Sequence, residues 1–533
     1  MVVRKLVKKG TYYDSVLLLK ISQKAASYEG VKEAAVVMGT PPNLNILRDL
    51  GLYDPSFDAI TPNDLIIAID TDENDAEKFL AKILDDLTGE RKRVERDYFP
   101  KSLETALQTQ PESNFVAISV PGEHASLEAS DALDRGLNTF IFSSNVPPEE
   151  EKELKEKGRA KGLLVLGPDC GTVIVNGAVL GFGNVLKRGN VGIVASASTG
   201  IQEVSCQLDR MGVGISHAIG TGGNDLSEDI GGIAMMDVLG FLERDEATKV
   251  IVIISKPPAP AIEEKILQFL VKNVRKPVVA NFIGGDPRHV REAGFVPAYS
   301  LDEAGYKAAQ VSRGRDLKNF TWDIEAEEDA TGYEWDLDTL RKIAEVEWSR
   351  LSDDQQFVRG LFCGGTLCYE AQLVLREFVG PSYSNSPLNP EYKLSDPFES
   401  IGHTVVDLGG EEFVAGRLHP MIDPTIRKTR LKKEGVDTTT AVILLDFVLG
   451  YGCHPDPAGA LLDEFKHVKK SAEEQGRHIP IVASVVGTEG DPQVLSAQES
   501  KLRDAGVTVL TSNAQAAAVA GLISTRGRVQ VKL

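Results

Sequence analysis
The feature that most constrains this chain is a strand–turn–helix stretch that it carries twice. Gly189 to Gly212 reads GNVGIVASASTGIQEVSCQLDRMG: a short apolar β-segment (Val191 to Val194), a small-residue turn (Ser196 to Gly200), then a helix. In that helix Ile201, Val204, Leu208 and Met211 recur near the helical period. Gly360 to Val379 reads GLFCGGTLCYEAQLVLREFV and repeats the order, with Leu367, Ala371, Val374 and Phe378 on one face. Ser, Thr and Gly between strand and helix leave the helix's first N–H groups unblocked, and those groups with the helix dipole favour an anion, typically a phosphate. Ser196, Ser198, Thr199 and Gly200 in the first turn, and Gly364, Gly365 and Thr366 in the second, are the candidate phosphate-binding residues. The plainer reading of either turn alone is that Ser198 or Thr366 caps its helix. Repetition within a longer shared pattern is what favours function.

That pattern continues past the turns. Gly222-Gly223 answers Gly409-Gly410, Met235-Met236-Asp237 answers Met421-Ile422-Asp423, and EAGF (Glu292 to Phe295) answers DAGV (Asp504 to Val507). The predicted architecture is an internal duplication of a five-strand, flavodoxin-like α/β unit, over residues 188–312 and 356–533. Two such units facing each other about a pseudo-twofold axis would aim both helix starts at one anion. Residues 1–99 alternate strand and helix as a small ferredoxin-like or ACT-like layer, with Asp14 and Ser15 as candidate caps of the first helix. Residues 100–187 have the βαβ rhythm of a parallel, Rossmann-like sheet, whose C-terminal loops hold Pro121, Pro168 and Asp169. Residues 313–355 are an acidic linker by composition. They nevertheless hold all three tryptophans (Trp322, Trp335, Trp348), which predicts a packed strap ending in a helix. At 533 residues the chain is long enough for about three or four domains.

A net charge of −20 argues against nucleic acid as a partner. No apolar run approaches the roughly 20 residues a membrane helix needs. The N-terminal MVVRKLVKKG followed by VLLLKI has the outline of a signal peptide. Lys20 interrupts its apolar stretch and no small-residue cleavage site follows, so the reading is a folded cytoplasmic protein. Five scattered cysteines imply neither a disulfide framework nor a zinc site. Cys363 and Cys368 flank the second turn, where a helix start could activate a thiol, but small core residues are the simpler account. The GxGxxG dinucleotide fingerprint is missing from residues 100–187.

Over residues 114–294 the chain resembles the α subunit of succinyl-CoA synthetase: VGIVASASTGIQE stands at its phosphate-binding turn and GPDCGT within its CoA-binding domain. Residues 356–533 are similar to the C-terminal domain of the β subunit, through VVDLGG and AVILLDFVLGYG. Over nearly its whole length the chain resembles the FdrA family, in YYDSVLLLKIS, VMGTPPN, GPDCGT, HAIGTGGNDLS, SKPPA, GGTLCYEA, GRLHPMIDPT and GYGCHPDPA. The resemblance implies a Rossmann-like CoA-binding-type domain followed by two ligase-CoA-type flavodoxin domains. It also marks a departure: the synthetase's phosphorylated histidine lies in GHAG, where this chain has REAG with Glu292. The supporting glutamate corresponds to Lys256, and nothing resembles an ATP-grasp domain. His289, three residues before Glu292, is the remaining histidine nearby.

What the resemblance leaves is the acyl-phosphate half of the chemistry. FdrA-type proteins are linked to anaerobic allantoin breakdown as one subunit of an oxamate carbamoyltransferase, converting oxalurate and phosphate into oxamate and carbamoyl phosphate; older labels call them acyl-CoA synthetases. The expected catalytic residues are Lys256, Glu292, His419 and Asp423; His419 reads as a general acid/base or a substrate hydrogen-bonding group, or more plainly as a helix-entry residue with Asp423 as an exposed polar neighbour. Asn224 and Asp225, with Pro121, Pro168 and Asp169, are expected at the substrate; His454 and Asp456 are weaker candidates for the same cleft. Phosphate or carbamoyl phosphate is the expected ligand. CoA is left open, and Mg²⁺ is considered at Asp237, Asp407 and Asp446 without a spacing that demonstrates it. Partner subunits of a hetero-oligomeric transferase, and contacts between copies of the chain, are expected. The alternatives are an acyl-CoA ligase using a separate ATP-grasp subunit, with CoA near Pro121 and Pro168, and a non-catalytic metabolite sensor or scaffold.

Overall fold
The computed structural model describes residues 3–528 apart from 12, 14, 27, 29, 72–75, 95–99, 316–335, 415 and 416; Asp14, Trp322 and Trp335 therefore lie outside the described residues. The chain forms two compact units, residues 1–112 with 414–418, and residues 113–413 with 419–533. Among the described residues no helix is long and apolar enough to cross a membrane.

The first unit holds β1 (Val3–Lys8), β2 (Val31–Met38) and β3 (Leu65–Thr71) in an antiparallel sheet of order β1-β3-β2. The run LIIAIDT places β3 at the centre, buried at every position. A crossover helix, Ser15–Ala26, joins β1 to β2 with β3 between them, the split βαβ arrangement of ferredoxin-like layers. Leu18, Ile21, Ile67 and Phe79 pack one face of the sheet; Leu47, Phe57 and Ile66 pack the other.

In the second unit β4 (Phe115–Ile118), β5 (Asn138–Ile141) and β6 (Val165–Leu166) form a parallel sheet with helices Gly122–Asp134 and Pro148–Lys161 between them. A hairpin, β7 (Thr172–Val175) and β8 (Ala178–Gly181), then joins a larger sheet. That sheet continues with β9 (Arg188–Ser196), β10 (Ile215–Gly220), β11 (Val250–Ser255), β12 (Val278–Phe282) and β13 (Val296–Pro297), all parallel, in the order β13-β12-β11-β9-β10-β7-β8. The third sheet is β14 (Phe357–Phe362), β15 (Thr404–Asp407), β16 (Thr440–Val448), β17 (Ile481–Val486) and β18 (Thr508–Leu510), in the order β15-β14-β16-β17-β18. Numbered within each repeat, both five-strand cores run 2-1-3-4-5, the flavodoxin-like order, so the duplication read from sequence is present in the topology.

The two repeats share one core. Ile201, Val204 and Leu208 of helix Ser198–Arg210 and Ala304 and Ala308 of helix Leu301–Ser312 belong to one buried cluster. Leu367, Ala371 and Val374 of helix Gly365–Val379 and the alanines of helix Asn513–Thr525 belong to the same cluster. Helix Leu337–Trp348 adds Leu340, Ala344 and a partly buried Trp348 to it.

Two glutamates cross between the repeats in a reciprocal way. Glu370 accepts the Leu301 N–H at 2.7 Å, and Glu203 accepts the Asn513 N–H. Each carboxyl, from the helix after one repeat's first strand, thus satisfies the start of the other repeat's last helix. Asp302 lies between them, accepting from Ser512 Oγ at 2.6 Å.

Candidate active site
In a 2-1-3-4-5 sheet the strand order reverses between the first and third strands, and ligands bind outside their C-terminal ends. In the first repeat those ends are the Ser196–Gly200 turn after β9 and Lys256 after β11; in the second they are the Gly364–Thr366 turn after β14 and the segment after β16. The two turns touch: Thr366 N donates to Thr199 Oγ1 at 3.3 Å. A methyl on Gly200 would meet Thr366 Cγ2 at 3.0 Å, so the small residues of the first turn are what allow this approach.

Neither helix is capped by its own turn. The N-cap positions are Ala197 and Gly364, and neither makes a side-chain cap bond. The hydroxyls go elsewhere: Ser196 Oγ donates to Gly222 O at 2.6 Å, and Ser198 Oγ accepts from Gly171 N at 2.9 Å, fixing the two neighbouring loops. The turns nevertheless differ. In the second, Asp446 accepts from Cys363 N and Gly364 N, both at 2.8 Å, and from Arg427 at 3.0 Å, so a carboxylate of the protein already occupies the innermost donors. The strand register puts Ile254 at the corresponding place in the first repeat. Among the described residues, no partner engages the first-turn N–H groups of Thr199, Gly200 and Gly365.

Lys256 reaches this junction from the first repeat and Asp407, the last residue of β15, from the second. By register Lys256 answers Val448, and Asp407 answers Gly220, so each is an asymmetric addition to the duplicated frame. A methyl on Gly365 would lie 2.6 Å from Asp407 Oδ2 and 3.9 Å from Lys256 Cε; one on Gly223 would lie 2.5 Å from Asp169 Oδ2 and 3.4 Å from Lys256 Nζ. The ammonium makes no hydrogen bond or ion pair within 4.0 Å among the described residues. Burial lowers its pKa, but the Asp169 and Asp407 carboxylates outweigh that and hold it above the ordinary 10.5. Asp407 responds the opposite way: burial pushes it up to about 6, against the pull of Lys256 and the Gly409 N–H. Tyr369, one turn into helix Gly365–Val379, faces Lys256 as well.

His419 borders the same space. Its Nδ1 accepts from Met421 N at 3.3 Å, its ring lies 5.6 Å from that of Phe182, and a methyl on Gly409 would meet its Nε2 at 2.6 Å and Asp407 Oδ1 at 3.1 Å. Burial pushes the imidazolium down to about 4, so the ring is neutral at physiological pH. With Nδ1 accepting, the proton sits on Nε2, making His419 a hydrogen-bond donor toward the junction rather than a base there.

The other sequence-derived candidates lie in different surroundings. Asp225 is fully buried against Lys155 at 2.8 Å and accepts from Ala234 N and Met235 N, a structural ion pair; Asn224 is exposed on the same loop. Asp423 spends Oδ1 on the N–H and hydroxyl of Thr425 at the start of helix Thr425–Val436. Glu292 is exposed at the end of helix Pro287–Glu292, and among the described residues no bond joins it to Lys256; His289 pairs with Glu263 at 3.4 Å and is largely exposed. Pro121 precedes helix Gly122–Asp134 and is exposed, whereas Pro168 is buried. Asp169, on the same loop, acts on Lys256 through its charge. His454 Nδ1 and Asp456 hold their own loop, Asp456 with Lys501 at 2.7 Å. Asp237 is paired with Arg159 at 2.9 Å, and among the described residues no group of three His, Cys, Asp or Glu could hold a metal ion. Burial raises Cys363 and Cys368 well above an ordinary thiol, which leaves them inert.

Residues 1–100 match the family described as "AllF, heavy metal-associated domain", 186–284 the "CoA binding domain", and 361–523 "CoA-ligase". Residues 1–100 contain neither Cys nor His, the usual ligands of soft metals. The α subunit 1 of succinate–CoA ligase [ADP-forming] from Archaeoglobus fulgidus is 29% identical over 203 residues, 37% of this chain and 68% of that one. The structure of a dinucleotide-forming acetyl-coenzyme A synthetase from Ca. Korarchaeum cryptofilum covers 78% of this chain and 83% of its own, at 15% identity and a TM-score of 0.28. YahF of Escherichia coli (strain K12) is 42% identical over 516 residues, 96% of this chain and 97% of YahF. This protein therefore belongs to the family of YahF, with a CoA-binding and CoA-ligase fold behind an AllF-type heavy metal-associated domain.

Proposed function
We propose that this chain is a subunit of a transferase acting on acyl or carbamoyl phosphates, of the FdrA type, with oxamate carbamoyltransfer as its reaction. The single observation that carries the reading is Lys256: a cation without a bonded partner among the described residues, at the switch point, between two helix starts whose Thr199, Gly200 and Gly365 N–H groups have no partner among the described residues. Such a site stabilises charge on phosphoryl oxygens by donors fixed in advance.

In this reading an oxygen of phosphate attacks the ureido carbonyl of oxalurate. A new C–O bond forms and the C–N bond to oxamate breaks. The attacking phosphate loses its hydroxyl proton and the departing nitrogen gains one, so oxalurate and hydrogen phosphate give oxamate and carbamoyl phosphate with atoms and charge conserved. Lys256 and the Thr199, Gly200 and Gly365 N–H groups bind the phosphoryl oxygens, and His419 Nε2–H donates to a carbonyl oxygen. Partner subunits would complete the site.

The acyl-CoA ligase remains the second reading, favoured by the CoA-binding and CoA-ligase matches over 186–284 and 361–523. It requires a separate ATP-grasp subunit and a CoA site in the loops of β4 to β6. One assay separates the two: the protein, alone and with partners encoded beside its gene, is given carbamoyl phosphate and oxamate, or ATP, CoA and a carboxylic acid. Oxalurate formation lost in Lys256→Ala supports the first; a CoA thioester without oxalurate overturns it.

A further inference from the structure
The candidate anion site is short of positive charge. Lys256 supplies one cation, against the carboxyls of Asp169 and Asp407, and the two helix starts add only about half a charge each. A phosphate-like dianion arriving beside two ionised carboxylates would meet net repulsion. Asp407 is placed to relieve it. Its backbone is pinned to Asn385, N donating at 2.9 Å and O accepting at 3.0 Å, and Oδ1 accepts from Gly409 N at 2.9 Å. The carboxyl orientation is thereby fixed. Oδ2 is left without a hydrogen-bond partner among the described residues and is directed at Gly365, on the side that Lys256 Cε approaches. The residue is 9% exposed.

We infer that Asp407 receives the ligand as an acid: it takes up one proton as a phosphate or carbamoyl phosphate dianion binds, and its Oδ2–H donates to a phosphoryl oxygen. This rests on the anion site proposed above and names the residue that decides the charge state in which that site is filled.

The groups facing Asp407 make the uptake favourable. Asp446 on β16 and Asp169 after β6 push its proton affinity up, Lys256 after β11 draws it down, and Cys368 and Tyr369 on the adjacent helix, like His419 beyond Gly409, are uncharged. Arg427 is engaged with Asp446. Burial sets the ligand-free carboxyl at about 6, so it is ionised near neutral pH, and the charge of a bound dianion raises its proton affinity enough for it to take a proton from solvent.

Sulfate is the suitable probe, because it stays a dianion across the working range and any proton taken up belongs to the protein. Calorimetry on the full chain in buffers of different ionisation enthalpy at about pH 8 should show close to one proton absorbed per sulfate. Affinity should fall roughly tenfold per pH unit above about pH 6 and level off below it. Asp407→Asn, whose amide is a permanent donor, should bind sulfate with no such slope. Wild-type binding without proton uptake, or an unchanged slope in Asp407→Asn, overturns the inference and leaves the anion site standing. No sulfate or phosphate binding at any pH by the folded wild-type chain overturns both.

Discussion
Asp407 is costly to keep as a carboxylate, and the sign of that cost can be tested on the ligand-free protein. Its folded pKa of about 6 lies above the ordinary 3.8, so the folded chain binds more protons than the unfolded one between those values. Stability therefore falls as pH rises through that window, by ~3 kcal/mol, and stays lower above it. Asp407→Asn should raise the midpoint of chemical unfolding at about pH 8, and the gain should vanish below about pH 4. An unchanged midpoint at both values would mean that Asp407 does not carry this burden. Lys256→Gln should act oppositely on the ligand, weakening phosphate affinity by roughly ten- to a hundredfold, the usual worth of a charge-assisted hydrogen bond. Titration of the variant with phosphate checks this. Both residues stand in the sequence beside recognisable motifs, where Lys256 is singled out by resemblance and Asp407 only as a place considered for Mg²⁺. Tyr369 is illegible because an aromatic on an amphipathic helix reads as core. Asp446 is legible as a carboxylate, but its use on Cys363 N and Gly364 N needs the strand register that brings β16 beside β14.

Between elements, the reciprocal glutamates set a second pH dependence. Glu203 is pushed up to about 7 by burial, against Arg210 and Gln207, with Asp302 adding to the rise. Glu370 is raised by burial and then by Asp302 and Glu203, against the Leu301 N–H and Asn513. Raised carboxyls stabilise the protonated fold, so the contact between repeats should weaken as pH rises from about 4.5 through 8. Unfolding midpoints measured across that range should decline, and Glu203→Gln should flatten the decline by keeping the acceptor for Asn513 N without the charge. A wild-type midpoint that rises toward about pH 8 would refute this. The elements themselves were largely legible: apolar periodicity located both strand–turn–helix stretches, and the paired motifs located the duplication. The glutamates were not, because Glu203 and Glu370 read from sequence as ordinary polar positions of amphipathic helices. Only the packing of each helix start on the other repeat reveals why they are buried.

At the scale of the whole second unit, the duplication matters because one face of each repeat's sheet is buried only in the core the two share. Leu367, Ala371 and Val374 bury against Ile201, Val204 and Leu208, and the alanine-rich helix Asn513–Thr525 has no polar face at all. Its small side chains let helices from both repeats come close, which suits an interior helix and makes a poor surface one. Each exposed Leu, Ile or Val of this set would forfeit ~1.5–3 kcal/mol of burial. Losing several of them would cost on the order of the 5–15 kcal/mol by which domains are ordinarily stable. The same packing holds Lys256 of one repeat against Asp407 of the other, so the site exists only while the repeats are joined. Residues 113–315 and 336–528, produced as two separate chains in one cell, should therefore purify as a one-to-one complex, and neither should be a folded monomer by itself. The complex should bind phosphate, since Thr199 and Gly200 come with one piece and Gly365 and Asp407 with the other. Two independently folded monomers, each with a cooperative unfolding transition, would show that the shared core is dispensable. The junction would then be a chance apposition instead of the place where the duplication became a binding site.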